Sequence, residues 1–163
     1  MTEINKTVER MGRSPYMNDG TIDELLSIRY GGRESFLTLS LLYDDNSWGT
    51  MTFHQDHIFP RSLFSDKDLD KFGLDGERKA RYKNLCDRIG NLQLLLSEEN
   101  LGKQDKDFGQ WIDTRDAGFK KRHLIPEDEN LLNFDSFEQV VEARENLIRE
   151  RLKNILLSPS TIT

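Results

Sequence analysis

Apolar residues fall in separate stretches along this chain, and their spacing sets most of the expected architecture. Up to Asn18 no period is evident, and Gly12, Pro15 and Gly20 punctuate the segment, so residues 1–20 read as an arm or linker. Thr21-Ile22-Asp23-Glu24 has the spacing of a capping box. Ile22, Leu25 and Leu26 then share one helical face, with Tyr30 next in line, before Gly31-Gly32 stops the helix. Between Ser35 and Tyr43, Phe36, Leu37, Leu39, Leu41 and Leu42 suit a buried helix or a strand, and we favour the helix. Asp44-Asp45-Asn46-Ser47 reads as a turn, and Trp48 to Ile58, rich in threonine and aromatic residues, as a strand ended by Pro60.

Residues 61–88 carry mixed charge and two glycines, so a long loop with one short helix around Lys79 to Cys86 is expected before Ile89 to Leu96 returns as a second strand. Ser97 stands where an N-cap should, with Glu98 and Glu99 in the first turn, and the helix that follows carries Asn100 and Lys103. Ser136 to Gln139 has capping-box spacing again. Phe137, Val140, Val141, Ile148, Leu152, Ile155 and Leu156 then mark an amphipathic helix. The expected class is α+β and mainly helical: strand, long loop, strand and helix inside a helical surround.

Length and composition narrow the picture. At 163 residues and 36% hydrophobic content the chain can bury one ordinary core and is not a disordered segment. No apolar run is long enough to cross a bilayer, and the first residues lack the apolar core of a signal peptide, so no membrane partner and a cytoplasmic location are expected. The single cysteine, Cys86, cannot close an internal disulfide, and without a CxxC pair there is no zinc ribbon; it reads as a packed thiol.

A net charge of −6 and a pI near 5.1 argue against a general nucleic-acid binder. The distribution changes that conclusion. Glu77 to Arg88 holds five basic residues against two acidic ones, and Lys103 to His123 six against four, so an acidic body carries a basic rim suited to a polyanion. His54, Arg61, Lys120, Lys121 and Arg122 are the candidates for phosphate contacts, while His123 reads as a surface residue and Trp111 as a core anchor.

The chemistry concentrates in Phe53-His54-Gln55-Asp56-His57-Ile58-Phe59-Pro60, Gly90-Asn91-Leu92-Gln93-Leu94-Leu95 and Asn100-Leu101-Gly102-Lys103. Neighbours on a strand point to opposite faces, so Asp56 and His57 share one centre only if the strand ends or twists there. Magnesium prefers oxygen ligands and keeps its waters, so a carboxylate (Asp56) and an amide oxygen (Asn100) suffice where substrate phosphate completes the shell. That leaves His57 as a general base, oriented by Asn91, with Lys103 or a nearby base holding an adjacent phosphate.

These motifs resemble the HNH endonucleases, the ββα-metal finger. They are similar to the HNH domain of RNA-guided CRISPR nucleases and, more closely, to the C-terminal HNH domain of GmrSD-type modification-dependent restriction enzymes and SspE-like phage-defence proteins. The likeness runs mainly from about Thr52 to Ile112. It implies a ββα core over about 48–112, within one nuclease domain at 21–163 that closes with a helix at about 136–157. It also implies His57 as base, Asp56 and Asn100 as metal ligands, and Asn91 as the residue fixing the histidine loop. Asparagine at position 100, where the motif's name has histidine, leans the ion toward Mg²⁺ or Mn²⁺ and away from zinc. The expected activity is hydrolysis, by nicking, of double-stranded DNA in a restriction or anti-phage system. The expected partner is an attached or separate N-terminal ParB-like or sulfiredoxin-like nucleotide-binding domain. A catalytically silent DNA-binding module and an RNA-directed nuclease are the alternatives.

Overall fold

The computed structural model describes residues 18–43, 51–103 and 106–156. The arm before Asn18, the turn at 44–47 and the start of the first expected strand at Trp48 lie outside the described residues. The cap of α1 (Asp19–Ser27) lies three residues before the expected one, at Asn18: its side chain accepts from the Thr21 backbone N–H, and Thr21 answers the Asn18 backbone. Ile22 and Leu26 bury the predicted face. α2 (Arg33–Ser40) settles the ambiguous run as a helix that packs Ser35, Thr38 and Leu39 inward.

Two strands, β1 (Phe53–His57) and β2 (Leu92–Leu96), pair antiparallel with Asp56 opposite Gln93 and His57 opposite Leu92. The connection between them is more ordered than the expected loop. It holds a 3-10 turn at Arg61–Phe64, α3 (Asp66–Lys71) and α4 (Gly76–Cys86). Ser65 and Asp75 cap the two helices, and Phe64, Leu69, Leu74 and Tyr82 supply the buried side chains that hold them. The return strand is shorter than expected because Ile89–Asn91 forms a 3-10 turn. The cause is the Arg144 guanidinium, which takes the Ile89 and Gly90 carbonyls out of any strand ladder.

After β2 come α5 (Ser97–Lys103), α6 (Phe108–Asp113), α7 (Ala117–Arg122) and the long α8 (Phe137–Leu156). Ser97 opens α5 as its first residue, and Glu99 reaches back to the Leu96 N–H. Before α8, Asn133 caps a 3-10 turn at Phe134–Ser136 in place of the expected Ser136 box.

The sheet separates two apolar clusters. Leu92 and Leu94 face one built from Ile22, Leu26, Leu39, Tyr43, Ile148 and Leu152, while Leu95 belongs to the other with Phe59, Tyr82, Trp111 and Phe137. α8 spans both, and Trp111 is a core residue, 3% exposed. The class is α+β, mostly helical, with one two-stranded antiparallel sheet. No helix among the described residues is long and apolar enough to cross a membrane.

His123 corrects the expectation of a surface residue. Leu124, in the left-handed region at φ 53°, turns the chain after α7 and tucks the His123 ring against Phe119, with centroids 4.0 Å apart. Nδ1 lies 2.9 Å from the Tyr43 hydroxyl. Burial, with Arg144 and Arg122 nearby, pushes the imidazole pKa down to about 3. The unfolded chain therefore binds a proton below pH 6.5 that the folded chain refuses, and stability is lost as pH falls from 6.5 toward 3. Urea unfolding at pH 7 and pH 5 should show a loss of about 2 kcal/mol in the wild type that His123→Asn, which keeps an acceptor near Nδ1, largely removes.

Candidate functional site

The first strand ends at the chemistry. As alternation requires, Asp56 and His57 diverge to opposite faces. On one face Asp56 Oδ2 receives both the Gln93 amide (2.9 Å) and the Lys103 ammonium (2.9 Å). Lys103 is fully buried, donates to the His57 carbonyl at 2.6 Å and lies 5.5 Å from the Trp111 ring centre. It is therefore an internal brace for the end of β1, not a side chain extended toward a phosphate.

On the other face His57 is largely buried, with Nε2 2.9 Å from Asp87 Oδ1 and its ring centre 4.5 Å from that of Tyr30. A carboxylate only accepts, so Nε2 carries the proton and Nδ1 is the nitrogen with a free lone pair in the neutral ring. Burial holds the pKa below the usual histidine value against the pull of Asp87, which keeps the ring neutral at pH 7. Arg61, well exposed, sits 3.6 Å from the other Asp87 oxygen.

Asn91 is the joint behind this arrangement. Its Oδ1 accepts from the Phe59 N–H at 3.0 Å, its Nδ2 donates to the Cys86 carbonyl at 2.8 Å and the Phe59 carbonyl at 3.3 Å, and its own carbonyl accepts from Ile58 at 2.8 Å. Asn91 thus ties the chain after His57 to the residue before Asp87, and does not itself touch the imidazole. Gly90 beside it is required by close approach, since a Cβ there would stand 2.7 Å from Val141 Cγ1 and Glu145 Cγ.

Asn100 lines an open cleft of about 490 Å³ together with Tyr30, Gly31, Phe36, His54 and Gln55. These residues come from both faces of β1, so the cleft follows the strand edge opposite β2. His54 Nε2 lies 3.0 Å from Ser97 Oγ at its rim. Among the remaining phosphate candidates, Lys120 is 3.7 Å from Glu129 and Arg122 lies over the Tyr43 ring, while Lys121 is exposed.

Three residues unassigned from sequence matter here. Asp87 lies at the end of α4, and nothing in its local spacing points to His57. Gln93 carries a signal: it is the polar exception inside an apolar strand. Arg144 carries one too, because it falls on the apolar face of α8, where it is fully buried.

A His57 ring nitrogen, Cys86 Sγ and an Asp87 oxygen also lie within 4.8 Å of one another, a spacing that suits a soft metal. The cluster is already knit by its own hydrogen bonds, with the Cys86 thiol donating to Asp87 Oδ1 at 3.8 Å, and burial pushes that thiol up to about 12.

The model of the GmrSD restriction endonuclease C-terminal domain matches residues 22–151. The chain belongs to that family. The match runs from within α1 to within α8, with the Asp56-His57 pair, Asn91 and Asn100 inside it. Membership in the GmrSD family makes this a nuclease domain of the restriction-endonuclease kind. A search of curated proteins returns no match.

Asn91→Leu leaves the Phe59 N–H and the Phe59 and Cys86 carbonyls buried without their partner, each worth about 1–3 kcal/mol. Urea unfolding at pH 7 should show a loss of about 3 kcal/mol or more. Asn91→Asp, which keeps the acceptor and loses the donor, should also be destabilising.

Proposed function

We propose that this GmrSD-type domain is a divalent-metal-dependent HNH endonuclease that hydrolyses DNA phosphodiesters, with β1, β2 and α5 as its ββα core. The reading rests on one observation, the Asp87–His57 pairing that fixes the tautomer of a neutral imidazole beside a carboxylate and an asparagine cleft. His57 takes the proton of the attacking water on Nδ1 while Asp87 holds Nε2–H and stabilises the imidazolium that forms. Asn91 keeps the two in register through the Phe59 backbone, and Arg61 is placed to meet a non-bridging phosphate oxygen.

Asp56 and Asn100 are the residues we assign to the ion. Their donors are all oxygen, both contacts made to Asp56 fall on Oδ2 and leave Oδ1, and beside them Gln93 Oε1 is a buried acceptor without a partner. Such a set suits Mg²⁺ or Mn²⁺ and not zinc. Bound there, the ion would neutralise charge on the phosphoryl and leaving oxygens. Cutting one strand per engagement, and reading of the target by an N-terminal partner domain, belong to the same proposal.

One observation favours a second reading, a silent DNA-binding module: the buried Lys103 ammonium already neutralises Asp56. Plasmid nicking in Mg²⁺ and Mn²⁺ separates the two, with an RNA substrate run alongside to choose the sugar. We expect His57→Ala to lose about 10²–10⁴-fold and Asp87→Asn about 10–100-fold in rate. Equal activity of wild type and His57→Ala sinks the assignment; DNA binding without cleavage in any divalent ion favours the silent module.

A further inference from the structure

The connection between α1 and α2 is built into the site, and none of the roles assigned above uses it. Tyr30 is 40% exposed, and its ring lies against His57 while lining the cleft that contains Asn100. Isolated exposed aromatic residues need no explanation. This one is held in place from both sides. The Tyr30 N–H donates to the Asp87 carbonyl at 2.7 Å and Arg29 Nη1 to the Asn84 carbonyl at 3.0 Å. Gln55 Nε2 reaches the Gly32 carbonyl at 3.3 Å, and its Oε1 accepts from Ser35 at 2.7 Å. Gly31, at φ 99°, gives the turn a conformation that residues with side chains rarely adopt, although a Cβ there would touch nothing within 4 Å. The glycine therefore serves the direction of the backbone, and with it the placing of Tyr30, not a tight contact.

We propose that Tyr30 is a stacking platform for an unpaired nucleobase, that of the nucleotide flanking the phosphate attacked at His57. This deepens the nuclease reading and rests on it. A flat ring resting on His57, carried by a backbone that hydrogen bonds hold, loses little freedom when substrate arrives, and every base offers it a π-face without regard to sequence. The cleft volume lies within the range of small-ligand sites, about 300–1,000 Å³. Its position supplies the rest of the argument. The ring touches the imidazole proposed to activate water and lines the same cleft as Asn100, with Arg61 next to Asp87 ready for the adjoining phosphate. A base inside an intact duplex stack cannot use such a platform, so the site should prefer single-stranded, frayed or distorted DNA at the point of cleavage.

The test uses the full chain and short single-stranded DNA oligonucleotides, each carrying one 2-aminopurine, with Tyr30→Phe, Tyr30→Leu and Tyr30→Ala compared by binding, fluorescence and cleavage kinetics. We expect wild type and Tyr30→Phe to quench at least one labelled position. Tyr30→Leu, which keeps apolar packing against His57 but has no ring, should lose that quenching, with KM or Kd about ten- to hundredfold higher, as should Tyr30→Ala. Quenching and affinity unchanged in Tyr30→Leu overturn the proposal. So does a fall in kcat alone, because it assigns Tyr30 only to holding His57. Undiminished cleavage by His57→Ala condemns the nuclease mechanism instead, and the quenching series, which needs no turnover, still decides whether Tyr30 takes a base.

Discussion

The side-chain amide of Asn91 is the interaction on which the rest of the site depends. It donates and accepts at once, so it can serve the N–H and C=O of Phe59 and the C=O of Cys86 from one buried position. A carboxylate cannot donate to those carbonyls, and an apolar side chain can do neither. Because Phe59 follows His57 by two residues and Cys86 precedes Asp87 by one, a single amide sets the distance between the imidazole and its carboxylate. The pairing it supports, between residues thirty positions apart, is 2.9 Å long.

Arg144 supports the joint from the other side. Its guanidinium holds the carbonyls of Ile89, Gly90 and His123, with a pKa pushed down to about 10 by burial, and so fastens α8 to the turn that presents Asn91. A charge this deep costs several kcal/mol unless hydrogen bonds satisfy it, and three carbonyl acceptors do most of that. Gly90 lets the helix come close enough for the contact. The C-terminal helix is thus part of the site's foundation although it supplies no residue to the lining of the cleft.

The sheet divides the chemistry by face. Asp56 belongs with Gln93 and Lys103 on the α5 side, and His57 with Asp87 and Tyr30 on the side of the α1–α2 connection. The cleft along the edge of β1 is lined from both sides of the sheet, by Tyr30 and Gln55 on one and by His54 and Asn100 on the other. Dividing them this way leaves the Lys103 ammonium paired with Asp56 and the imidazole held by Asp87, with burial lowering the His57 pKa against the pull of the Asp87 and Asp56 carboxylates.

Motifs that bind their own backbone were legible in the chain. Ile22 and Leu26 on α1, the strand ending at His57, the helix after Ser97 and the amphipathic C-terminal helix all follow from local period and capping. What local pattern could not give was partnership. The capping box at Thr21 was displaced by an equally good one at Asn18, and α3 and the first turn of α4 were hidden because their caps are common and their apolar residues sparse, although a helix ending at Cys86 was legible. Asp87 and Tyr30 reach His57 only through tertiary contacts, and His123 was misjudged because its basic neighbours resemble a surface while Tyr43, eighty residues away, draws it inside. Buried Arg144 and Gln93 were readable in principle as polar breaks in apolar faces.

In the proposed reaction an oxygen-ligated ion and a separately held imidazole meet over one phosphate. Anomalous diffraction from crystals soaked in Mn²⁺ checks this arrangement. One manganese peak is expected, bonded to oxygens of Asp56 and Asn100, with His57 outside the coordination shell and still paired through Nε2 to Asp87. Manganese bound by His57, Cys86 and Asp87, or no peak on the oxygens of Asp56 and Asn100 at saturating ion, overturns it.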